Sequence, residues 1–306
     1  MARVTMERVR LPVAAVAAMS MLFGLAGVAM AQMESRQPVI DKAPSAVPYG
    51  RNARIAGHLE GGMPGDRIRL QRYNGRWRTI ESKAVRDDNT VGFLVESLRR
   101  SMPYRFLFVD EVTGDRAPSE PRRIAVPARL RLDTTKSRLM KGRRTRVYGS
   151  LFPKVPGRTV VFQQRVAGEW RAIERLRAGD GSFSTYLRPQ RAGFRRLRVK
   201  FGGDELNRRA TAGRTIRVYH PDLATWYGPG FYGNRTACGR TLGYGTLGVA
   251  HRSLPCGTKV SILYEGRSIT VPVIDRGPYS SADWDLTRET AERLRFSGKD
   301  TIGTDR

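Results

Sequence analysis

The chain has 306 residues and a formal net charge of +27, with 55 lysines and arginines against 28 acidic residues, and it contains two cysteines. A surplus of that size points to polyanionic partners, such as acidic wall polymers or anionic membrane surfaces, although basic residues spread along the whole chain are also what a mutational composition bias leaves. Zinc-finger and RNP-like patterns are missing from the sequence, which argues against a nucleic-acid partner.

At the N-terminus Arg3, Arg8 and Arg10 precede an uncharged run from Leu11 to Ala29, which ends in Ala29, Met30 and Ala31. Basic, then apolar, then small-x-small is the order of a secretory signal, so residues 1–31 are expected to be removed. The run of 19 residues also has the length of a membrane span, and an uncleaved anchor stays open as the alternative. No cysteine sits near Ala31, which argues against lipid attachment there. No later stretch is long and apolar enough to span, so no stable membrane span is expected after cleavage. The expectation is a secreted protein, extracellular or associated with the cell wall. About 275 residues then remain, enough for two or three domains with cores of their own. In an exported chain the pair Cys238 and Cys256 reads as a disulfide rather than as a metal site or a nucleophile. Closing that short loop contributes about 3 kcal/mol in the loop-entropy account.

Beyond a linker at 32–37, two stretches repeat at an offset of about 92 residues. Gly50 to Leu59 answers Gly142 to Leu151, Pro64 and Gly65 answer Pro156 and Gly157, Ile68 to Gln71 answers Val160 to Gln163, and Gly75 to Glu81 answers Gly168 to Glu174. That many matches in register mark a duplicated unit. Each unit is a series of short alternating runs broken by Gly, Pro, Asn and Asp, as in Phe194 to Phe201, where apolar and polar side chains take opposite faces. The reading is two tandem Ig-like β-sandwich modules, 38–128 and 129–219, serving as spacers or wall-binding units. Trp77 and Trp170 occupy one position in both units and are expected in the core or against a turn. His58 aligns with Ser150 and is expected to be a surface residue.

From about residue 220 the texture changes. Ala224 to Gly239 is aromatic and Gly-rich, short strands are predicted at Leu247 to Ala250, Lys259 to Leu263 and Ser268 to Val273, and one helix from Thr287 to Leu294 has Thr287 as its N-cap. Residues 220–306 therefore read as a small, loop-rich β-barrel with one helix, making the whole protein all-β. Two phrases here do not look like packing: Val249 to Thr258 embeds His251, and Val273 to Tyr279 embeds Asp275, each among Gly and Pro residues that shape loops. From the residues alone, both side chains are equally suited to chemistry or to locking loops through bonds to the backbone.

Trp226 to Gly228, Thr236 and Ala237, Ala250 to Thr258, Val271 to Tyr279 and Asp285 to Thr287 together resemble the six-stranded double-psi β-barrel of the RlpA-like family. Five separated motifs fall in that family's order over about 85 residues, and the upstream repeats and the Cys pair resemble its actinobacterial branch. The family includes septal-ring lytic transglycosylases and is related to expansins, so the resemblance implies action on peptidoglycan glycan strands without any cofactor. It places catalytic roles on His251 and Asp275. Asp275 is then the acid that protonates the glycosidic oxygen and the base that helps the muramyl C6 hydroxyl close on C1, with His251 orienting Asp275 or stabilising charge. Because the sugar's own hydroxyl attacks, one carboxylate suffices, unlike the pair in ordinary glycosidases.

Trp226, Tyr227, Tyr232, Thr236, Arg276, Tyr279 and Asp285 are counted as substrate-facing. Asp285 has a second reading, as a carboxylate that holds backbone amides at the start of the helix. No metal site is expected, since His58, His220 and His251 lack ligand spacing. Two departures from the family pattern stand out: Arg240 follows Gly239 where an acidic residue is common, and Phe296 to Ile302 replaces a Gly-rich turn. The alternatives to a lytic transglycosylase are a non-catalytic, expansin-like glycan-binding protein and a structural protein that presents the barrel loops to another protein.

Overall fold

The computed structural model describes residues 36–306, which form one compact unit; the signal and anchor readings of residues 1–31 lie outside them. Alternating apolar residues build the first eight strands: β1 (Gln37–Lys42), β2 (Arg51–Glu60), β3 (Arg67–Tyr73), β4 (Trp77–Ala84), β5 (Thr90–Leu98), β6 (Met102–Val109), β7 (Arg116–Pro118) and β8 (Arg122–Ile124). They make a three-stranded sheet, β1-β2-β5, and a larger sheet, β4-β3-β6 with β7 and β8 at its edge. The inward residues of both sheets, among them Ile55, Leu70, Phe93 and Phe106, share one core.

The next eight strands repeat this plan: β9 (Arg129–Thr134), β10 (Arg138–Met140), β11 (Thr145–Phe152), β12 (Thr159–Val166), β13 (Glu169–Arg177), β14 (Ser182–Leu187), β15 (Gly193–Phe201) and β16 (Ala210–Tyr227). β14-β11-β9 faces β13-β12-β15-β16, and Val147, Phe162, Phe183 and Val199 belong to the core between them. The repetition extends to single contacts. Gly57 and Gly149 hold equivalent places on β2 and β11, where a Cβ would lie 1.9 Å from the Val39 carbonyl oxygen and 2.1 Å from that of Arg131. Only glycine fits so close an approach of two strands.

Trp77 and Trp170 are not core residues. Each opens an outer strand with its side chain on the sheet surface, half-buried beneath a guanidinium: Arg105 lies 4.2 Å from the Trp77 ring centre and Arg198 lies 4.1 Å from that of Trp170. Arg105 also donates to Gln71 and Arg198 to Gln163, so the duplicated feature is a Trp-Arg-Gln stack. His58 lies on β2 and its Nδ1 is 2.8 Å from Asp41.

β16 runs through residue 219, where a domain boundary is expected from the sequence, and continues to Tyr227. Its second half joins β17 (Val249–Ala250), β18 (Lys259–Tyr264), β19 (Arg267–Asp275), β20 (Trp284–Thr287) and β21 (Asp300–Thr304), with one helix, α1 (Arg288–Leu294), before the last strand. The hydrogen-bonded order β16-β20-β17-β19-β18-β21 returns to β16, so the pairings close on themselves. Val249, Val260, Val273, Leu286 and Ile302 fill the interior, and α1 packs Ala291 and Leu294 against it. Thr287 caps the helix, its hydroxyl accepting from the Thr290 amide.

Gly149→Ala forces a methyl group into the Arg131 carbonyl and the Phe183 ring. It is expected to lower stability by about 2 kcal/mol or more, read as a reduced midpoint in denaturant unfolding, whereas Gly92→Ala, with open space around its Cβ, leaves the midpoint nearly unchanged.

Candidate active site

The register of the closed sheet brings two carboxylates to either side of a short strand. Ala250 on β17 pairs with Asp275 on β19 and with Asp285 on β20, so their backbones stand two strand spacings apart, roughly 10 Å. Thr225 on β16 pairs with Asp285, and its hydroxyl donates to the Asp285 carboxylate at 2.8 Å. Tyr227 lies two residues further along and therefore on the same face as Thr225. Its hydroxyl is buried with no hydrogen-bond partner among the described residues. Burial, followed by the charges of Asp275 and Asp285, pushes the Tyr227 phenol above its usual range.

Asp275 is held by backbone. One of its oxygens accepts from the amides of Ala237 and Arg276, each at 2.8 Å. The Ala237 amide is available because the turn at Thr236 to Arg240 is closed by its own bonds, the Thr236 hydroxyl accepting from the Arg240 amide, and because the next residue, Cys238, is bonded to Cys256. The disulfide thus ties the turn that holds Asp275 to the loop that follows His251. Asp285 is placed differently. Burial raises its pKa, the Thr225 hydrogen bond draws it down, and the neighbouring Asp275 charge raises it further. The reading of Asp285 as a carboxylate that holds backbone amides at the start of the helix does not hold, because its carboxylate accepts from the Thr225 hydroxyl and from no amide among the described residues.

No side-chain hydrogen bond joins His251 to Asp275. Their link is the His251 amide donating to the Asp275 carbonyl at 3.2 Å. The His251 Nδ1 accepts from the Ser253 and Leu254 amides, at 3.2 and 3.0 Å, which assigns the ring proton to Nε2. The ring lies against Trp284 with centres 4.4 Å apart. Burial, then the charges of Arg252 and Arg276, lower the His251 pKa, opposed by Asp222 and Asp283.

Two arginines exchange loops across the site. Arg276 donates to the carbonyls of Leu254 and His251, while Arg252 donates to those of Pro278, Ser280 and Ala282. Gly277, between them, has φ +121°, a conformation that excludes a side chain without strain. Thr236 and Arg276, expected to face substrate, are therefore engaged within the protein. The aromatic candidates divide as well. Tyr279 is 89% exposed and Trp226 37% exposed, on the face of β16 opposite Tyr227, while Tyr232 stacks on the exposed Tyr244 at 4.0 Å. Thr225, Arg252 and Trp284 were not anticipated. Thr225 was recoverable from strand alternation with Tyr227, but Arg252 and Trp284 carry no local signal.

This arrangement lies within residues 222–303, which match the family model DPBB_1, described as "Lytic transglycolase". Over 71 residues the chain is 45% identical to the probable endolytic peptidoglycan transglycosylase RlpA of Synechocystis, a match covering 22% of each protein. It is 41% identical over 75 residues to the endolytic peptidoglycan transglycosylase RlpA of Campylobacter jejuni, covering 24% of this chain and 27% of that protein, and 40% identical over 79 residues to the probable enzyme of Aquifex aeolicus, covering 25% and 35%. The C-terminal region is thus related to the RlpA-type peptidoglycan transglycosylases, and the matches span 22 to 35% of the length of these relatives.

The lowered His251 pKa has a consequence for stability. In the unfolded chain the imidazole titrates near its ordinary value of about 6.5, while the folded ring resists protonation. Above that pH the group is neutral in both states; as pH falls below it the unfolded chain takes up the proton first, and stability is lost until the folded pKa is passed. Thermal unfolding between pH 7.5 and 5 is expected to show the stability difference between wild type and His251→Gln shrinking toward low pH. Parallel curves contradict the assignment.

Proposed function

We propose that this is an exported cell-wall protein acting on peptidoglycan glycan strands as a lytic transglycosylase. The observation that carries the reading is the placing of Asp275, fixed by two backbone amides, and the partly buried Asp285 on either side of β17, inside the segment that matches the RlpA-type enzymes. We take residues 220–306 as a six-stranded double-psi β-barrel, which the closed pairing order supports, and the two upstream repeats, 38–128 and 129–219, as Ig-like modules.

Burial and the neighbouring Asp275 charge raise the Asp285 pKa, opposed by the Thr225 hydrogen bond. Asp285 stays partly buried beside the site, and Asp275 is the group that exchanges a proton with the glycan. Asp275 gives a proton to the glycosidic oxygen as the bond from C1 of the muramyl residue breaks. The muramyl C6 hydroxyl then bonds to C1, its proton passes to Asp275, and the product carries a 1,6-anhydro ring. No water is consumed, so the site has no need of a second carboxylate to activate one. Tyr227, whose hydroxyl has no partner among the described residues, is a hydrogen-bond donor left over for the glycan. Trp226, Tyr232 and Tyr279 present aromatic faces to sugars, and His251 shapes the loop and offers its Nε2 proton to developing charge.

A second reading, an expansin-like protein that holds glycan without cutting it, is favoured by the His251 Nδ1, which accepts backbone amides and is thereby withdrawn from acid–base work.

The test is mass spectrometry of soluble products after the mature protein and its Asp275→Asn and Asp285→Asn variants are incubated with purified peptidoglycan. Wild type is expected to release anhydromuropeptides, Asp275→Asn to lower the rate about 100-fold or more, and Asp285→Asn to slow release and displace its pH optimum. A wild-type rate in Asp275→Asn removes that residue from catalysis, and no release by the folded wild type leaves the binding reading.

A further inference from the structure

The sheet β13-β12-β15-β16 buries Val160, Phe162, Leu197 and Val199 on one side. By alternation its other side carries Thr159, Val161, Gln163 and Arg165 on β12 and Arg196, Arg198 and Lys200 on β15. Cross-strand register adds Arg175 opposite Val161 and Arg177 opposite Thr159. Arg165, Arg175, Arg177, Arg196 and Lys200 are exposed, and none has a carboxylate partner among the described residues. The face is concave at one end, where Thr159, Val161, Gln163, Arg175, Lys200 and Gly203 line a hollow of about 650 Å³. Asp204 at its rim is neutralised by the buried Arg158, 2.8 Å away.

The first repeat supplies an internal control. Its equivalent sheet keeps the stack of Trp77, Arg105 and Gln71, yet Ser82, Ala84, Pro103 and Leu107 stand where the second repeat has Arg175, Arg177, Arg196 and Lys200, while Arg67 and Arg69 stand where it has Thr159 and Val161. The fold therefore forms without those four cations. Like charges gathered on one sheet face repel, so their presence calls for a counter-charge from outside the chain.

We propose that this face binds a linear phosphodiester-linked polymer. Alternate residues along β15 set Arg196, Arg198 and Lys200 roughly 7 Å apart, and cations on three neighbouring strands cover more than one phosphate group spans. Guanidinium forks pair with phosphate through two parallel hydrogen bonds, whereas the Lys200 ammonium acts as a point charge. The proposal takes from the wall location given above only where such a polymer is met, and it is independent of glycan cleavage.

The probe is poly(glycerol phosphate), titrated against the mature chain at several salt concentrations with no peptidoglycan present, so that the outcome does not depend on the cleavage reading. Arg175→Ser, Arg177→Ala and Lys200→Gln combined are expected to weaken binding about tenfold or more at low salt and to flatten its salt dependence. Arg67→Gln, Arg69→Gln and Arg78→Gln, which remove as many charges from the first repeat, leave binding close to wild type. Equal losses in the two triple variants, or no binding by wild type, overturn the proposal. Tighter or equal binding of a polyuronate overturns the phosphodiester assignment. Hydrogen exchange on wild type guards against a variant that misfolds: the polymer is expected to protect residues 159–165 and 196–200, and protection confined to other strands contradicts the site.

Discussion

Arg252 and Arg276 hold each other's loops, and the candidate site exists because they do. Five backbone carbonyls at His251, Leu254, Pro278, Ser280 and Ala282 accept from the two guanidinium groups. Loops with so many Gly and Pro residues have few ladder bonds of their own, and exposed carbonyls bound to charged donors give more than neutral pairs do. Once the loops are fixed, the Arg276 amide and the neighbouring Ala237 amide can meet one oxygen of Asp275, and the disulfide from Cys238 to Cys256 closes the same arrangement from the other side. An arginine-to-lysine change at either position keeps the charge but loses the planar fork that reaches several carbonyls at once.

The continuity of β16 gives this local constraint a longer reach. The strand that carries Thr225 and Tyr227 to the carboxylates begins at Ala210 in the sheet of the second repeat. Further back, the buried Arg158 bonds to Asp204 and Asn207, and Asn207 donates to the carbonyls of Arg99 and Val126 in the first repeat. The repeats are joined by buried polar contacts and the closed sheet by an unbroken strand. The cationic face and the carboxylate site therefore belong to one body.

Much of this was legible in the sequence because duplication and motif order are patterns of identity rather than of energy. The offset between Gly57 and Gly149 marks a strand approach too close for any side chain, and Thr287 announces its helix through ordinary capping chemistry. The Trp positions were legible but their environment was not: Arg105 and Arg198, which cover them, lie far along the chain from Trp77 and Trp170, and a half-buried stack has the same local signature as a core residue. Asp285 misled for a related reason. Its place just before the helix suited bonds to the first helical amides, while its partner, Thr225, is 60 residues away and is brought alongside only by parallel pairing of β16 and β20. Arg252 was hidden among 55 basic residues, while Arg276 was singled out for substrate because the carbonyls it holds, at His251 and Leu254, lie on a distant loop.

The most direct measurement is a crystal structure of Asp275→Asn bound to a tetrasaccharide of alternating N-acetylglucosamine and N-acetylmuramic acid. The account predicts a glycosidic oxygen within about 2.6–3.2 Å of the residue 275 side chain, with a sugar ring over Tyr279. A glycan seated elsewhere on the closed sheet, or one whose linkage oxygens all lie beyond reach of residue 275, contradicts it.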